Sequence, residues 1–207
     1  MTDDQIQSMR SDIAFLKELA VDGQRATSRV GGAILAAAGL CYATAAILHW
    51  TMATGRLALP PAYASYIWIG ATVIFLALCF AAKMLCAPGT NRGPVNRANR
   101  TVWIGTGLGI FAVAISYFLA SLATGNWVIM NLMASTVLAF YGAAWLVNAA
   151  MLQTRAPAVI ATGCFIAAAA IGLLVNSANL LLAYAAALVL FALIPGLFYM
   201  RGDRASA

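Results

Sequence analysis

The chain has 207 residues, of which 63% are hydrophobic and 9% are charged, and its formal net charge is +6. Soluble globular domains carry charge on about a quarter of their residues, so this composition excludes a soluble domain and predicts an integral membrane protein. Between Gly31 and Met200 the sequence contains no Asp or Glu.

The first segment predicts an amphipathic helix from about residue 3 to about residue 21. Apolar side chains that recur at three- and four-residue steps form one stripe on it: Ile6, Met9, Ile13 and Leu16. A helix that lies on anionic lipid usually has a basic polar face, whereas this one mixes acids with Arg10 and Lys17. Two interpretations stay open: a membrane-surface helix that leads into the first span, or a helix that binds a second copy or a partner through its apolar stripe.

Six apolar stretches are long enough to cross a membrane, because each crossing needs roughly 20 apolar residues. They run from about Val30 to Met52, Ala64 to Leu85, Val102 to Leu122, Trp127 to Leu152, Ala158 to Val175 and Leu180 to Met200. Pro, Gly and Asn residues mark the connections, so the spans pair as three hairpins. Pro195 and Gly196 predict a kink or an early end in the sixth span.

The predicted fold class is therefore an all-α polytopic membrane bundle of six helices, preceded by an amphipathic cytoplasmic helix. Residues 1–29 form the N-terminal helix and a basic linker, residues 30–200 the bundle, and residues 201–207 a short tail. Basic residues flank the termini and the second and fourth connections, whereas the opposite side has only Arg56. Under the positive-inside rule both termini are cytoplasmic. Topology and attraction to anionic membrane lipids explain the positive charge, so we expect no nucleic-acid partner.

Small residues recur at helical spacing within the spans. They predict faces along which two helices pack closely, and the glycines that carry this prediction are Gly32, Gly39, Gly105, Gly109 and Gly142.

The residue types needed for chemistry are scarce in the spans. The only ionisable groups there besides Cys and Tyr are His49 and Lys83, both near predicted span ends. A zinc site needs about four ligands from several His, Cys or acidic residues, and a triad needs a base with a carboxylate or its equivalent. We therefore expect no enzyme, no metal and no cofactor, and the four cysteines are interpreted as small apolar residues. Whether His49 has a functional role stays open.

The remaining polar side chains allow two interpretations. An asparagine in hydrocarbon seeks a partner across a helix contact, which favours helix packing as the role of Asn131 and Asn148. The alternative is a polar pocket for a neutral solute, lined by Asn131, Thr136, Tyr141 and Asn148.

The three-hairpin layout and the Gly/Ala-rich spans from about Val30 to Met200 resemble the small bacterial inner-membrane proteins of the HdeD type. The resemblance implies a bacterial inner-membrane location and a role linked to acid stress, and it carries no functional residue across. Together with the residues it favours a non-enzymatic accessory, scaffold or stress-related subunit. Such a subunit would contact membrane lipids and form a homo-oligomer or bind a membrane-protein partner. The alternative function is a small permease or channel for a neutral solute.

Overall fold

The computed structural model describes residues 5, 7, 10–13, 29–85 and 94–202. Its helices are α1 (Arg29–Ala53), α2 (Tyr63–Leu85), α3 (Pro94–Thr124), α4 (Leu132–Leu152), α5 (Arg155–Gly172), α6 (Asn179–Leu188) and α7 (Ile194–Gly202). A 3-10 turn (Trp127–Asn131) precedes α4, and a π-helical turn (Val189–Leu193) joins α6 to α7.

Six helices among the described residues are long and apolar enough to cross a membrane, which confirms the predicted fold class. We number them spans 1 to 6 in chain order. Span 4 includes the 3-10 turn, and span 6 includes α6, the π turn and α7. The connections after spans 1, 3 and 5 lie on what we call the turn side. The opposite side, which holds the start of span 1 and the end of span 6, is the terminal side.

The third span begins earlier than predicted. Its helix starts at Pro94 and not near Val102, so Arg97 and Arg100 lie on the helix and are exposed. Proline suits the first position of a helix, because the N–H that it lacks would have no partner there. The arginines extend the helix beyond the apolar stretch, which is why hydropathy alone gave too short an element.

The predicted irregularity in span 6 takes the form of the π turn, after which the helix continues to Gly202. Pro195 has no N–H, so the Phe191 carbonyl four residues earlier loses its usual donor. Trp145 of span 4 supplies one, since its Nε1 donates to the Phe191 carbonyl at 3.1 Å. The π turn is therefore tied to span 4 by a hydrogen bond.

Spans 1, 4 and 6 form the core. Its fully buried side chains include Leu138, Trp145 and Leu188. Span 1 packs on spans 2 and 6, and span 4 packs on spans 3 and 5. Span 5 lies mainly against span 4 and makes few contacts with span 6, so the third predicted hairpin is open between its two helices. Spans 2 and 3 lie at the edges.

Only part of the N-terminal helix belongs to the described residues. Residues 5, 7 and 10–13 are helical and exposed, and Ile13 has 61% of its surface exposed. Ile6, Met9 and Leu16, the other members of the predicted partner-binding stripe, lie outside the described residues.

Candidate functional site

The contact between spans 1 and 6 is built on glycine. A Cβ on Gly39 would stand 2.5 Å from the backbone nitrogen of Leu193, and one on Gly196 would stand 2.5 Å from that of Ala36. At Gly32 the nearest atom would be the Gly196 carbonyl oxygen, at 2.9 Å. The two backbones therefore touch directly, as small residues allow in membrane helices.

The other predicted packing glycines have different surroundings. A Cβ on Gly109 would meet the Phe140 ring at 2.7 Å, and one on Gly142 would meet the Phe165 ring at 2.9 Å. Gly105 has no atom within 4 Å of that position. Gly109 and Gly142 thus make room for aromatic rings and not for a helix backbone, and Gly105 faces outward from the chain.

A polar link joins spans 1 and 2 near the turn side. Trp68 Nε1 donates to His49 Nδ1 at 3.1 Å, so Nδ1 carries no proton in this arrangement. One turn deeper, the Tyr42 hydroxyl donates to Thr72 Oγ1 at 3.3 Å, and Thr72 Oγ1 donates to the Trp68 carbonyl. His49 therefore accepts a hydrogen bond that holds two helices together.

The predicted polar pocket is divided between different neighbours. Asn131 Nδ2 donates to the Val175 carbonyl in the turn after span 5, at a distance of 2.8 Å. Thr136 Oγ1 lies 3.1 Å from the hydroxyl of Tyr117 on span 3. Asn131 and Asn148 are 17 positions apart on one span, which is about 25 Å along a helix. The structure therefore does not bring these residues together around one cavity.

An aromatic cluster occupies the terminal half of the core. The Trp103 ring packs edge-on against Tyr141 and Trp145, with centroids 5.8 and 5.3 Å apart. The Tyr199 ring stacks on Trp145 at 5.7 Å. Through Trp145 the cluster connects spans 3, 4 and 6. Tyr141 therefore packs against aromatic rings.

Asn148 differs from Asn131 in that its side-chain oxygen has no hydrogen bond among the described residues. Only 3% of its surface is exposed, and its Oδ1 atom is buried without a hydrogen bond. Asn99 Oδ1 is in the same condition. Asn148 is three positions after Trp145 and Asn99 is four before Trp103, so both lie one turn toward the terminal side from the aromatic contact.

The described residues offer little for metal or redox chemistry. Among residues 29–85 and 94–202, no three His, Cys, Asp or Glu side chains lie close enough together to hold a metal ion. Cys41, Cys79 and Cys164 are free thiols, and Cys86 lies outside the described residues. The expectations of no cofactor and no enzymatic activity stay predictions.

Compared with protein-family models, curated proteins and solved structures, the chain shows no match. The layout resemblance to HdeD-type proteins therefore stays a prediction.

Two features of this region were missed by sequence reasoning. One is the hydrogen bond that Trp145 donates to the Phe191 carbonyl of span 6. The signal was present, because a proline inside a membrane helix always frees the carbonyl four residues before it. The other is the role of Gly196 as a packing glycine, since its position next to Pro195 is also typical of an irregularity in the helix.

Proposed function

We propose that the chain is a non-enzymatic accessory, scaffold or stress-related subunit that assembles with a second copy or with another membrane protein. The observation that carries the proposal is the exposure of span 2, in which Ala71 is the one buried residue. Among the described residues span 2 packs chiefly on span 1. A helix with one main neighbour has most of its surface available for another chain.

Span 3 supports the same assignment. Its outward side chains include Leu108 and Phe111, which are 65% and 63% exposed. Gly105 on this span and Gly70 on span 2 have no neighbouring atom within 4 Å of a Cβ position. Glycines on an outward face permit the close approach of a helix from another chain, where dispersion contacts drive association in lipid.

The internal polar groups favour a structural role over catalysis. Five of the polar contacts join a span to another span or to the turn beside it: His49 with Trp68, Tyr42 with Thr72, Tyr117 with Thr136, Trp145 with the Phe191 carbonyl, and Asn131 with the Val175 carbonyl. Such bonds contribute about 0.6 kcal/mol each in membrane proteins and hold the helices in register.

We place the protein in a bacterial inner membrane with both termini cytoplasmic, on the basis of its basic flanking residues.

One observation favours the second candidate, a permease or channel for a neutral solute. The buried Oδ1 of Asn148 has no donor among the residues that the structure describes, and a solute with an O–H or N–H group would supply one. The dispersal of the other three predicted pocket residues counts against this candidate.

Native mass spectrometry on protein extracted gently from its own membranes separates the two candidates. The accessory role predicts a homo-oligomer or a complex of fixed stoichiometry with one other polypeptide. Deleting residues 1–22 tests whether the N-terminal helix is the contact, because the assembly would then dissociate. A monomer that carries a reproducible small-molecule mass, together with flux that Asn148→Leu abolishes, would contradict the accessory role and support the permease.

A further inference from the structure

Two apolar grooves flank the turn-side half of span 6. The first, with a volume of about 490 Å³, lies between spans 5 and 6. The second, of about 390 Å³, lies between spans 1 and 6. Ala186 and Leu190 line both grooves and are exposed, so they form the ridge that separates them. The first groove exists because spans 5 and 6 make few contacts with each other.

The depth of the first groove matches one leaflet of a bilayer. It extends along span 5 from Leu174 to Gly163 and along span 6 from Ala183 to Phe191. At about 1.5 Å per residue these stretches are roughly 12 to 16 Å long. Half of a hydrocarbon core of about 30 Å is about 15 Å. The groove therefore covers the turn-side leaflet and ends near the middle of the membrane.

An aromatic ring closes the deep end. A Cβ on Gly163 would stand 2.6 Å from Cε1 of Phe191, so the ring lies directly against the backbone of span 5. The second groove follows span 6 from Leu182 to Leu190, which places it at the same depth. Two grooves of similar size thus run side by side from the turn side to the membrane centre.

We propose that one two-chain lipid of the turn-side leaflet straddles span 6, with one acyl chain in each groove. Every side chain that lines the grooves is apolar, so the occupant is hydrocarbon along its whole length. Two parallel grooves separated by a narrow ridge match the two tails of one lipid. The dispersion contacts of each tail with the groove walls favour this site over the bulk bilayer.

A helix from a second copy would enter these grooves only in part. A helix segment about 15 Å long and about 10 Å across occupies roughly 1,200 Å³, so most of it would stay outside either groove. The eleven residues of the first groove and the six of the second, two of them shared, also form a small surface. Stable interfaces between proteins use about 20 to 30 residues on each side.

The end of the turn, from residue 175 to residue 178, lies where the headgroup would be. It contains no charged residue, and Asn176 and the adjoining Asn179 are exposed. Amide side chains donate and accept hydrogen bonds without a net charge. The site therefore selects a lipid by its two chains, and it does not require an anionic headgroup.

The test uses the full chain in detergent. The protein is incubated with equal amounts of a diacyl phosphatidylcholine and its single-chain lyso form, and native mass spectrometry then measures which lipid stays bound. The wild-type protein is expected to keep one diacyl lipid. Ala186→Phe places a ring on the shared ridge and is expected to lower that retention by at least about tenfold, because the ring overlaps the space of the chains. Ala170→Phe fills only the first groove and is expected to remove the preference for two chains over one.

Ala112→Phe is the matched control, since Ala112 is exposed on span 3 and lines neither groove. It should retain the diacyl lipid like the wild-type protein. Retention in Ala186→Phe equal to that in Ala112→Phe would overturn the proposal, as would equal retention of diacyl and lyso lipid by the wild type. A change from dimer to monomer in Ala186→Phe with unchanged lipid would assign the grooves to a second copy. If Ala186→Phe does not fold, Ala170→Phe decides alone: an unchanged preference for diacyl lipid refutes the proposal.

Discussion

Spans 1 and 2 are both apolar membrane helices, yet they have opposite surroundings. Buried residues recur along span 1, at Leu35, Ala38, Ala43 and Ala46 among others, whereas Ala71 is the one buried residue of span 2. The difference lies in where small residues meet a neighbour. Gly32 and Gly39 bring span 1 against the backbone of span 6, whereas Gly70 of span 2 has no atom near it. Hydropathy marks a membrane helix, and close contacts decide whether it belongs to the core.

The largest effect is expected where two backbones touch. Gly39→Ala places a methyl group 2.5 Å from the Leu193 nitrogen, and because backbone atoms cannot move aside we expect a loss of about 3 kcal/mol in unfolding free energy. Gly105→Ala is the control, since its methyl group meets nothing within 4 Å and should change stability by less than about 0.5 kcal/mol. Thermal and denaturant unfolding in detergent measures both. Equal losses in the two variants would contradict the assignment of span 1 to the core.

The next effect concerns the hydrogen bond from Trp145 to the π turn of span 6. Trp145→Phe removes the side-chain donor of the Phe191 carbonyl and is expected to cost about 2 kcal/mol. In a Pro195→Ala background the restored N–H can bond that carbonyl, so the same substitution should cost about 1 kcal/mol less. A double-mutant cycle on unfolding free energy reads this coupling. Additive costs would show that Trp145 acts through packing alone.

A smaller effect distinguishes the two asparagines of span 4. Asn131→Leu removes the bond to the Val175 carbonyl and is expected to cost about 1 kcal/mol. Asn148→Leu removes a buried oxygen that has no hydrogen bond among the described residues, so stability should be unchanged or higher. Unfolding measurements on the two variants should therefore show a loss of stability for Asn131→Leu and none for Asn148→Leu. A larger loss for Asn148→Leu would mean that this side chain has a partner in the membrane.

The smallest effect concerns the attachment of the edge helix to the core. His49→Asn keeps an acceptor near the position of Nδ1, whereas His49→Ala removes it, so only the second should weaken the link between spans 1 and 2. We expect His49→Ala to cost about 0.5 kcal/mol, in line with other hydrogen bonds between membrane helices. Protection of span 2 amides in hydrogen exchange reports the link locally. Equal exchange in both variants would show that the Trp68 bond does not hold span 2.

Much of the fold follows from the sequence because membrane crossing depends on local apolar length. The six spans and the irregularity near Pro195 needed no information about neighbours. The start of span 3 was placed too late, because Arg97 and Arg100 continue a helix beyond the hydrocarbon core. Polar residues at a helix end are compatible with both helix and loop, so hydropathy cannot place that boundary.

The contacts of individual polar residues could not be predicted in the same way. Asn131 and Asn148 lie on the same span and have the same chemistry, but Asn131 donates to the Val175 carbonyl in the turn after span 5, whereas the Asn148 oxygen has no hydrogen bond among the described residues. That difference depends on which helices are neighbours and how they are rotated. The opening between spans 5 and 6 is also a property of packing, since a short turn alone suggested a closed hairpin.

Cysteine cross-linking in native membranes tests the proposed assembly most directly. In a background without native cysteines, Ile69→Cys on span 2 and Leu108→Cys on span 3 place thiols at positions that are 59% and 65% exposed. Val159→Cys on span 5, 70% exposed, is the control for random collisions, and Leu138→Cys is the buried control. We predict oxidant-induced linkage of the span 2 or span 3 variants to a second copy or to one partner, and none for either control. Monomers throughout, or linkage as strong at Val159→Cys, would contradict the account.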